Sequence, residues 1–347
     1  MSKKKNHHYI PKFYLKRFST NALGKNISLY NHKNKIFIRE APIKNQACAK
    51  YLYGVDDEIE NALAKMEDKI AKMFYYWTEE KLLYPPPDDS NGYKLLKQFI
   101  IYQAFRTPNS GKKIEDGINE SVMKFLKEFQ LGKWEKLKGS TIKFKNPVLL
   151  ALNGAIKHEK LLNYLECRFV VNLSDLPLIL SDSPVIFYNQ LLEKANNYIG
   201  ATSLVSKGLQ VFLPIHPRLL ICLYDSRVYE FDNDAKNCSS TESIEEIHQL
   251  NSLQLINSNS QVFFNEFISK EYIEILHKQN KKYRSDFKNI NTVLNHNDKK
   301  LFLMSSKDPQ IKLSLGFFKL KVNPNRYTNA VSPLRHHSFV RNNTTDY

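Results

Sequence analysis

The chain has 347 residues and a formal net charge of +16, with 42% hydrophobic and 25% charged residues, which is ordinary for a globular protein. No apolar run approaches the ~20 residues of a membrane span, and the basic start lacks the apolar core of a signal peptide. Its four cysteines are widely spaced and form no C-x-x-C pair, which argues against a zinc knuckle or a redox motif. We therefore expect a cytoplasmic protein without membrane association.

The positive charge is concentrated at one end of the sequence. Residues 1–50 contain twelve Lys or Arg and a single acid, Glu40, a net +11, whereas the other 297 residues carry a net +5. A focused positive field attracts polyanions, nucleic acid first and nucleotides or anionic lipid second. The alternative is a solvated lysine-rich surface, since Lys and Asn are abundant throughout the chain.

The first nineteen residues combine two histidines, four aromatic residues and six basic residues with no acid. Tyr9, Phe13, Leu15 and Phe18 offer too much apolar surface to remain in water, so this basic segment is expected to dock on the rest of the protein. Two short strands follow, at Ile27–Tyr30 and Lys35–Ile38. The turn residues between them predict a β-hairpin.

A helical region follows. The clearest helix runs from Asp56 to Trp77, where one apolar stripe recurs at three- and four-residue steps. Further helices are predicted over 92–105, 121–131 and 148–165, with a basic loop over 132–147. Thr107-Pro108 is expected to end the helix over 92–105.

From Cys167 the pattern changes to short strands rich in β-branched and aromatic residues, predicted at 169–173, 178–180, 185–188, 209–213 and 219–224. Helices at 241–256, with a capping box at Ser243 and Glu246, and 271–281 flank one more strand at 262–264. The predicted fold class is α+β, with a helical middle region packed on a mostly antiparallel sheet and an N-terminal β-hairpin. We expect one domain over 1–285, on which segment 1–50 docks, and a loosely ordered tail over 286–347.

Four short motifs carry a resemblance to a known family. They are His8-Tyr-Ile-Pro-Lys-Phe-Tyr-Leu-Lys-Arg-Phe18, Gln103-Ala-Phe-Arg-Thr-Pro108, Ser181-Asp-Ser-Pro-Val185 and Leu213-Pro-Ile-His-Pro-Arg218. Their order and spacing resemble the mostly bacterial, uncharacterised family called domain of unknown function 4238. The resemblance implies one domain-sized unit and a role in bacterial conflict systems, and it assigns no catalytic residues.

Three residues in these motifs are candidates for catalysis. His8 is a candidate general acid or base, Arg106 a bidentate phosphate clamp, and Asp182 the group that orients His8 or holds a divalent metal. Each has a structural alternative. Arg106, on the apolar face of its helix, needs a buried partner, and a salt bridge to Glu67 or to Asp182 would supply one. We favour Glu67 as that partner, which leaves His8 and Asp182 as the functional pair.

Asp182 has its own alternative in turn chemistry, because an Asp before a Pro turn commonly caps backbone amides. Likewise, Asn251 and Gln254 on the inner half of helix 241–256 are predicted to tie strands to that helix.

The leading hypothesis is a nucleic-acid-directed bacterial effector or toxin, including a role in anti-phage defence, that either cuts RNA or DNA as a nuclease or sequesters it. The predicted nucleic-acid contacts are Lys3, Lys4, Lys5, Lys12, Lys16 and Arg17. A divalent metal is the cofactor considered, with its ligands unassigned. The alternative is a non-enzymatic interaction module that binds a partner protein or RNA through its basic N-terminus.

Overall fold

The structure is a computed structural model that describes residues 6–54, 58–87, 90–128, 137, 139–232, 238–285, 288–296, 299–307, 309 and 311–328. Eight α-helices lie within these residues: α1 (Lys12–Leu15), α2 (Glu58–Thr78), α3 (Asn91–Phe105), α4 (Pro108–Glu128), α5 (Pro147–Lys157), α6 (Gln190–Lys194), α7 (Ile244–Asn257) and α8 (Lys270–Asn280). The strands are β1 (Asn6–His8), β2 (Asn26–Asn31), β3 (Ile36–Pro42), β4 (Cys48–Lys50), β5 (Glu166–Asn172), β6 (Leu180–Ser181), β7 (Ile186–Tyr188), β8 (Gln210–His216), β9 (Leu219–Tyr224), β10 (Tyr229–Phe231), β11 (Cys238–Thr241), β12 (Gln261–Phe264), β13 (Lys288–His296), β14 (Lys299–Lys307) and β15 (Phe318–Leu320).

Two sheets organise the fold. The larger has the order β11-β5-β9-β8-β7, and the other has the order β3-β2-β12-β6. Only the β11–β5 pair within them is parallel. The α+β prediction is confirmed, and so is the predicted hairpin, in which Tyr30 of β2 lies opposite Phe37 of β3.

The five-stranded sheet is buried on both faces. Alternate residues of β8 show this directly, because Val211 and Leu213 join one hydrophobic cluster while Phe212 between them joins another. Side chains of neighbouring strand positions point to opposite faces. The first cluster receives α2, α3 and the N-terminal segment, and the ring of Trp77 packs 4.9 Å from that of Phe169.

Two helix boundaries differ from the sequence prediction. Helix α4 begins at Pro108, not near residue 121, because proline suits the first turn of a helix and Thr107 Oγ1 accepts from the amide of Ser110 at 3.2 Å. Helix α5 ends at Lys157, and a separate 3₁₀ turn, Glu159–Leu162, follows.

Helix α7 holds the strand segment before it through buried amides. Asn251 accepts from the amide of Ile179 and donates to the carbonyl of Pro177, both at 2.9 Å. Gln254 accepts from the amide of Ser181 and donates to the carbonyl of Pro184, again at 2.9 Å. The predicted tie between helix and strands is therefore confirmed.

Part of the predicted C-terminal tail is ordered. Strands β13 and β14 form an antiparallel hairpin, and β15 pairs with β10. Leu313, Leu315, Phe317 and Phe318 are buried in the cluster on the second face of the large sheet. The apolar pattern of this segment is too short to predict the burial of the four side chains, because they are buried by contacts with distant strands. Residues 329–347 lie outside the described part.

No helix in the described part of the chain is both long enough and apolar enough to cross a membrane.

Candidate functional site

The N-terminal motif forms a short helical segment with two unlike sides. After Pro11 the chain forms α1 and continues as a 3₁₀ turn, Lys16–Phe18. Tyr14, Leu15 and Phe18 are fully buried, whereas Lys12 and Lys16 are exposed. Residues four apart share a face of a helix, so the sequence places its aromatic residues inward and its lysines outward.

Two other motifs hold this segment in place. The carbonyl of Tyr9 accepts hydrogen bonds from Gln103 Nε2 at 2.8 Å and Arg106 Nε at 3.1 Å. The hydroxyl of Tyr14 donates to the carbonyl of Pro214 at 2.5 Å. The motifs that carry the family resemblance are thus brought together around the docked N-terminus.

Arg106 is a structural anchor. Its side chain is fully buried, and Nη1 donates to Glu67 Oε1 at 2.6 Å, so the predicted Arg106–Glu67 salt bridge is confirmed. The alternative bridge to Asp182 does not form. Among the described residues Nη2 has no hydrogen-bond partner, although it is buried. The Nη2 nitrogen of the guanidinium therefore remains for a ligand or water, while Nε and Nη1 hold the fold.

His8 and His7 have different roles despite being neighbours. His7 is fully buried, stacks on Tyr53 with ring centroids 5.5 Å apart, and accepts at Nδ1 from the amide of Tyr53 at 3.2 Å. His8 is half-buried on β1, opposite Cys48 of β4. Its Nε2 is buried without a hydrogen-bond partner in the described structure. The two side chains point to opposite faces of the strand. The candidate site is the region around His8, which lies near Lys12 and Arg106.

The pKa of His8 is lowered to about 4, chiefly by burial and then by the positive charges of Lys12 and Arg106. At neutral pH its imidazole is therefore uncharged. An uncharged imidazole can accept a proton, as a general base does, but it supplies no positive charge to a phosphate. Lys12 is the exposed cation beside it.

Asp182 lies in a separate hydrogen-bond network. Its carboxylate accepts from the amides of Asn259, Ser260 and Gln261, at 2.6, 2.8 and 3.0 Å, and from the hydroxyl of Ser260 at 2.9 Å. Burial raises the pKa of this carboxyl, and the four hydrogen bonds oppose that shift. Burial, and then the charge of Asp182, raise the pKa of Tyr9, so this carboxylate lies near the Tyr9 side chain.

The predicted catalytic set is thus divided. His8 and Arg106 lie together around Tyr9, whereas both oxygens of Asp182 are occupied in capping the turn before β12. The structural alternative offered by the sequence was amide capping at the turn that Asp182 itself begins, whereas the carboxylate caps a different turn, at residues 259–261. As for a metal, the described residues contain no group of three or more His, Cys, Asp or Glu side chains arranged to hold one.

Of the predicted nucleic-acid contacts, Lys3, Lys4 and Lys5 lie outside the described residues. Arg17 is engaged internally, because its guanidinium pairs with Glu79 and donates to Thr78 Oγ1 at 2.8 Å. The sequence did not single out six further exposed cations in the same segment. Together with Lys12 and Lys16 they make eight exposed basic side chains: Lys12, Lys16, Lys25, Lys33, Lys35, Arg39, Lys44 and Lys50.

None of these eight side chains forms an ion pair within the part of the chain that the structure describes. We call them the basic surface. In the sequence these cations are spread evenly along residues 12–50, where acids are nearly absent. This pattern is the signal that would have identified them.

Exposed tyrosines lie beside this segment. Tyr75 and Tyr76 at the end of α2 are roughly half exposed, with ring centroids 6.0 Å apart, and the guanidinium of Arg17 lies 5.9 Å from the ring of Tyr75. Glu80 hydrogen-bonds Tyr75 and raises its pKa. Neither tyrosine belongs to the apolar stripe of α2, so the helical periodicity of the sequence does not single them out.

The sequence matches a known protein family over most of its length. The family model named Protein of unknown function (DUF4238) matches residues 6–266. The chain belongs to the DUF4238 family. No curated protein and no solved structure gives a significant match. The resemblance seen in the four motifs is therefore confirmed, and the family itself assigns no activity.

Proposed function

We propose that this DUF4238 protein binds nucleic acid through its basic surface. The observation that carries the proposal is that eight exposed cations of residues 12–50 have no carboxylate partner among the described residues. Unpaired surface cations release counterions from a phosphate backbone when they bind it, and this release drives association. Self-repulsion among eight like charges opposes folding and is relieved by a polyanion.

Exposed Tyr75 and Tyr76 favour a single-stranded ligand. Bases of a single strand can stack on aromatic side chains, whereas the bases of a duplex are already stacked. Glu79 and Glu80 lie at the same place, but Glu79 is neutralised by Arg17. RNA or single-stranded DNA is therefore the expected ligand class.

A nuclease activity is the second candidate, and one observation favours it. His8 is uncharged at neutral pH, has a buried Nε2 without a described partner, and lies beside Lys12 and Arg106. A neutral imidazole beside an exposed cation such as Lys12 can act as the general base in the cleavage of RNA. Asp182 has no part in this version, because its carboxylate caps a turn. The proposed role as a defence effector depends on this activity.

The test uses purified full-length protein with labelled RNA, single-stranded DNA and duplex DNA, with and without Mg²⁺. Binding should weaken steeply with salt, and Lys12→Glu with Lys16→Glu should reduce the salt dependence by about 1.5 in the log–log slope, because each phosphate contact contributes about 0.7 to 0.9. The matched control reverses Lys157 and Lys160, which are equally exposed but lie outside the basic surface.

Equal effects of the two double variants, or binding that survives high salt, would contradict the proposal. Product formation in the same samples decides between binding alone and cleavage. Its loss in His8→Ala, with binding retained, would assign the cleavage to this site.

A further inference from the structure

A second cluster of nitrogen-bearing side chains lies away from His8, where the turn after β2 meets α8. The ring centroids of His32 and His277 are 5.9 Å apart. Tyr30 fixes the His277 ring through a 3.1 Å hydrogen bond between its hydroxyl and Nδ1. His32 is held through its backbone, whose amide donates to the carbonyl of Ser260 at 3.1 Å. The His277 ring is therefore positioned before any ligand arrives, and the backbone of His32 is held beside it.

One atom of this cluster has no described partner. His32 is only 6% exposed, and its Nε2 is buried without a hydrogen bond among the described residues. Burial of an unpaired polar group is unfavourable by about 1–3 kcal/mol unless water or a ligand satisfies it. The unpartnered nitrogen of this buried ring therefore needs a water molecule or a ligand to satisfy it.

The charges around the cluster decide which kind of ligand fits. Arg284 faces both histidines, Lys33 faces His32, and Lys35 and Lys281 face His277. Asp182 lies near Arg284, but its oxygens are used by the turn before β12, and Glu274 lies beside Tyr30. The excess is positive. A metal cation would be repelled, although two imidazoles 5.9 Å apart otherwise resemble metal ligands.

The guanidinium of Arg284 is held by hydrogen bonds from one of its nitrogens. Its Nη1 donates to Ser258 Oγ at 2.8 Å and to the carbonyl of Leu255, which fixes the plane of the guanidinium. A planar guanidinium with fixed orientation binds the oxygens of a phosphate or sulfate through parallel N–H donors. The imidazole N–H groups of His32 and His277 would supply the remaining donors.

We propose that His32, His277 and Arg284 form an anion site that takes a phosphate group. The site has Lys33 and Lys35 of the basic surface as neighbours, but it does not include Lys12 and Lys16, whose variants test the proposed function. Free phosphate and the phosphodiester of a nucleic acid share the chemistry, and separate titrations distinguish them.

Protonation couples to binding at this site. Burial first, and then the neighbouring cations, lower the pKa of His32 to about 3 and also lower the pKa of His277. A bound anion offsets the repulsion from Arg284 and the lysines and raises both pKa values. Where the pH lies between the free-state and the bound-state pKa, the anion binds with uptake of a proton, and its affinity increases as the pH falls, by at most about tenfold per pH unit for each histidine.

The experiment titrates the full-length protein with sodium sulfate at pH 7.5, 6.5 and 5.5, followed by calorimetry and by the imidazole NMR signals. Sulfate keeps its charge over this range, so a pH effect reports on the protein. Inorganic phosphate is then titrated at pH 7.5. We expect affinity to rise as the pH falls, and His32→Gln, His277→Gln and Arg284→Gln each to weaken binding at least tenfold. His158→Gln, at an exposed histidine, is the control.

Thermal melts identify a variant that fails to fold, and His277→Gln, at a partly exposed position, keeps the test valid if His32→Gln unfolds. Affinity that is unchanged in folded His277→Gln and Arg284→Gln would overturn the proposal. An oligonucleotide without terminal phosphates that displaces sulfate identifies a phosphodiester as the ligand, and failure to displace it identifies free phosphate. Absence of anion binding would overturn this site while leaving the Lys12 and Lys16 test intact.

Discussion

Arg106 donates from Nε to the carbonyl of Tyr9 across 3.1 Å, although ninety-seven residues separate the two positions in the chain. This contact joins the third helix to the docked N-terminus. The same guanidinium reaches Glu67 on α2, so one side chain connects three distant parts of the sequence. The buried arginine therefore orients the segment that carries His8 and Lys12.

Loss of the Arg106–Glu67 pair should destabilise the protein. Arg106→Met leaves the carboxylate of Glu67 and the carbonyl of Tyr9 without this donor, and the free energy of unfolding should fall by about 3–5 kcal/mol. Glu67→Gln should lower it by less, because Glu67 is partly exposed. In urea melts the double variant should be less destabilised than the sum of the singles. Lys143→Met, at the exposed Lys143–Glu115 pair, should change stability by under about 1 kcal/mol. Additive effects would show that the pair contributes no coupling.

Tyr14→Phe should test how firmly the N-terminal segment is docked. The substitution keeps the buried ring and removes the hydroxyl that donates to the carbonyl of Pro214. We expect a loss of about 1–2 kcal/mol in the free energy of unfolding, since a buried carbonyl loses its donor. Tyr164→Phe, at a residue 47% exposed, is the matched control and should be nearly neutral. Equal melting temperatures for both variants would argue against the predicted anchoring role.

The two adjacent histidines should respond differently to removal. His7→Ala deletes a fully buried ring that stacks on Tyr53, so it should lower the melting temperature by several degrees. His8→Ala should leave the melting temperature close to that of the wild type, because His8 is half-buried and its Nε2 holds no described partner. Binding and cleavage assays on His8→Ala then report on function alone. A large stability loss in His8→Ala would make the residue structural instead.

Stability should decrease as the pH falls from about 6.5 toward 4. Burial lowers the pKa of both His8 and His216 to about 4, so between these values the unfolded chain binds more protons than the folded one. Each fully buried histidine would contribute about 1.4 kcal/mol per pH unit, and partial exposure reduces that figure. His216→Gln should flatten the difference in melting temperature between pH 7 and pH 5, whereas exposed His158→Gln should not. Because the pKa of Asp182 is raised, its contribution to stability changes with pH in the opposite direction. That contribution is the same in His216→Gln and His158→Gln, so the comparison of the two variants cancels it.

Two glycines should give opposite results on replacement by alanine. A Cβ at Gly111 would lie 2.8 Å from Val148 Cγ2 and 2.9 Å from the amide nitrogen of Val148, where α4 meets the start of α5. Gly111→Ala should therefore cost about 1–3 kcal/mol of stability. A Cβ at Gly154, inside α5, meets nothing within 4 Å, so Gly154→Ala should stabilise by up to about 1 kcal/mol. Chemical denaturation of both variants measures the contrast, and a stabilised Gly111→Ala would contradict the close packing of α4 on α5.

The sequence by itself determined the features that depend on local pattern. The apolar stripe of α2, the turn between β2 and β3, and the serine cap of α7 each follow from residues within a few positions of one another, and each was predicted. The buried Arg106 was also predicted to need a carboxylate, since an unpaired charge on an apolar face is costly.

Tertiary structure decided the features that depend on distant residues. Asp182 had a catalytic and a turn-capping interpretation, and the three amides of residues 259–261 that occupy its carboxylate are nearly eighty residues away. The burial of Leu313 and Phe318 against the large sheet and the meeting of His32 with His277 have the same origin. Long-range contacts leave no periodicity in the sequence. The residue that buries a side chain, or forms its hydrogen bond, is determined by the tertiary fold and not by adjacent residues in the sequence.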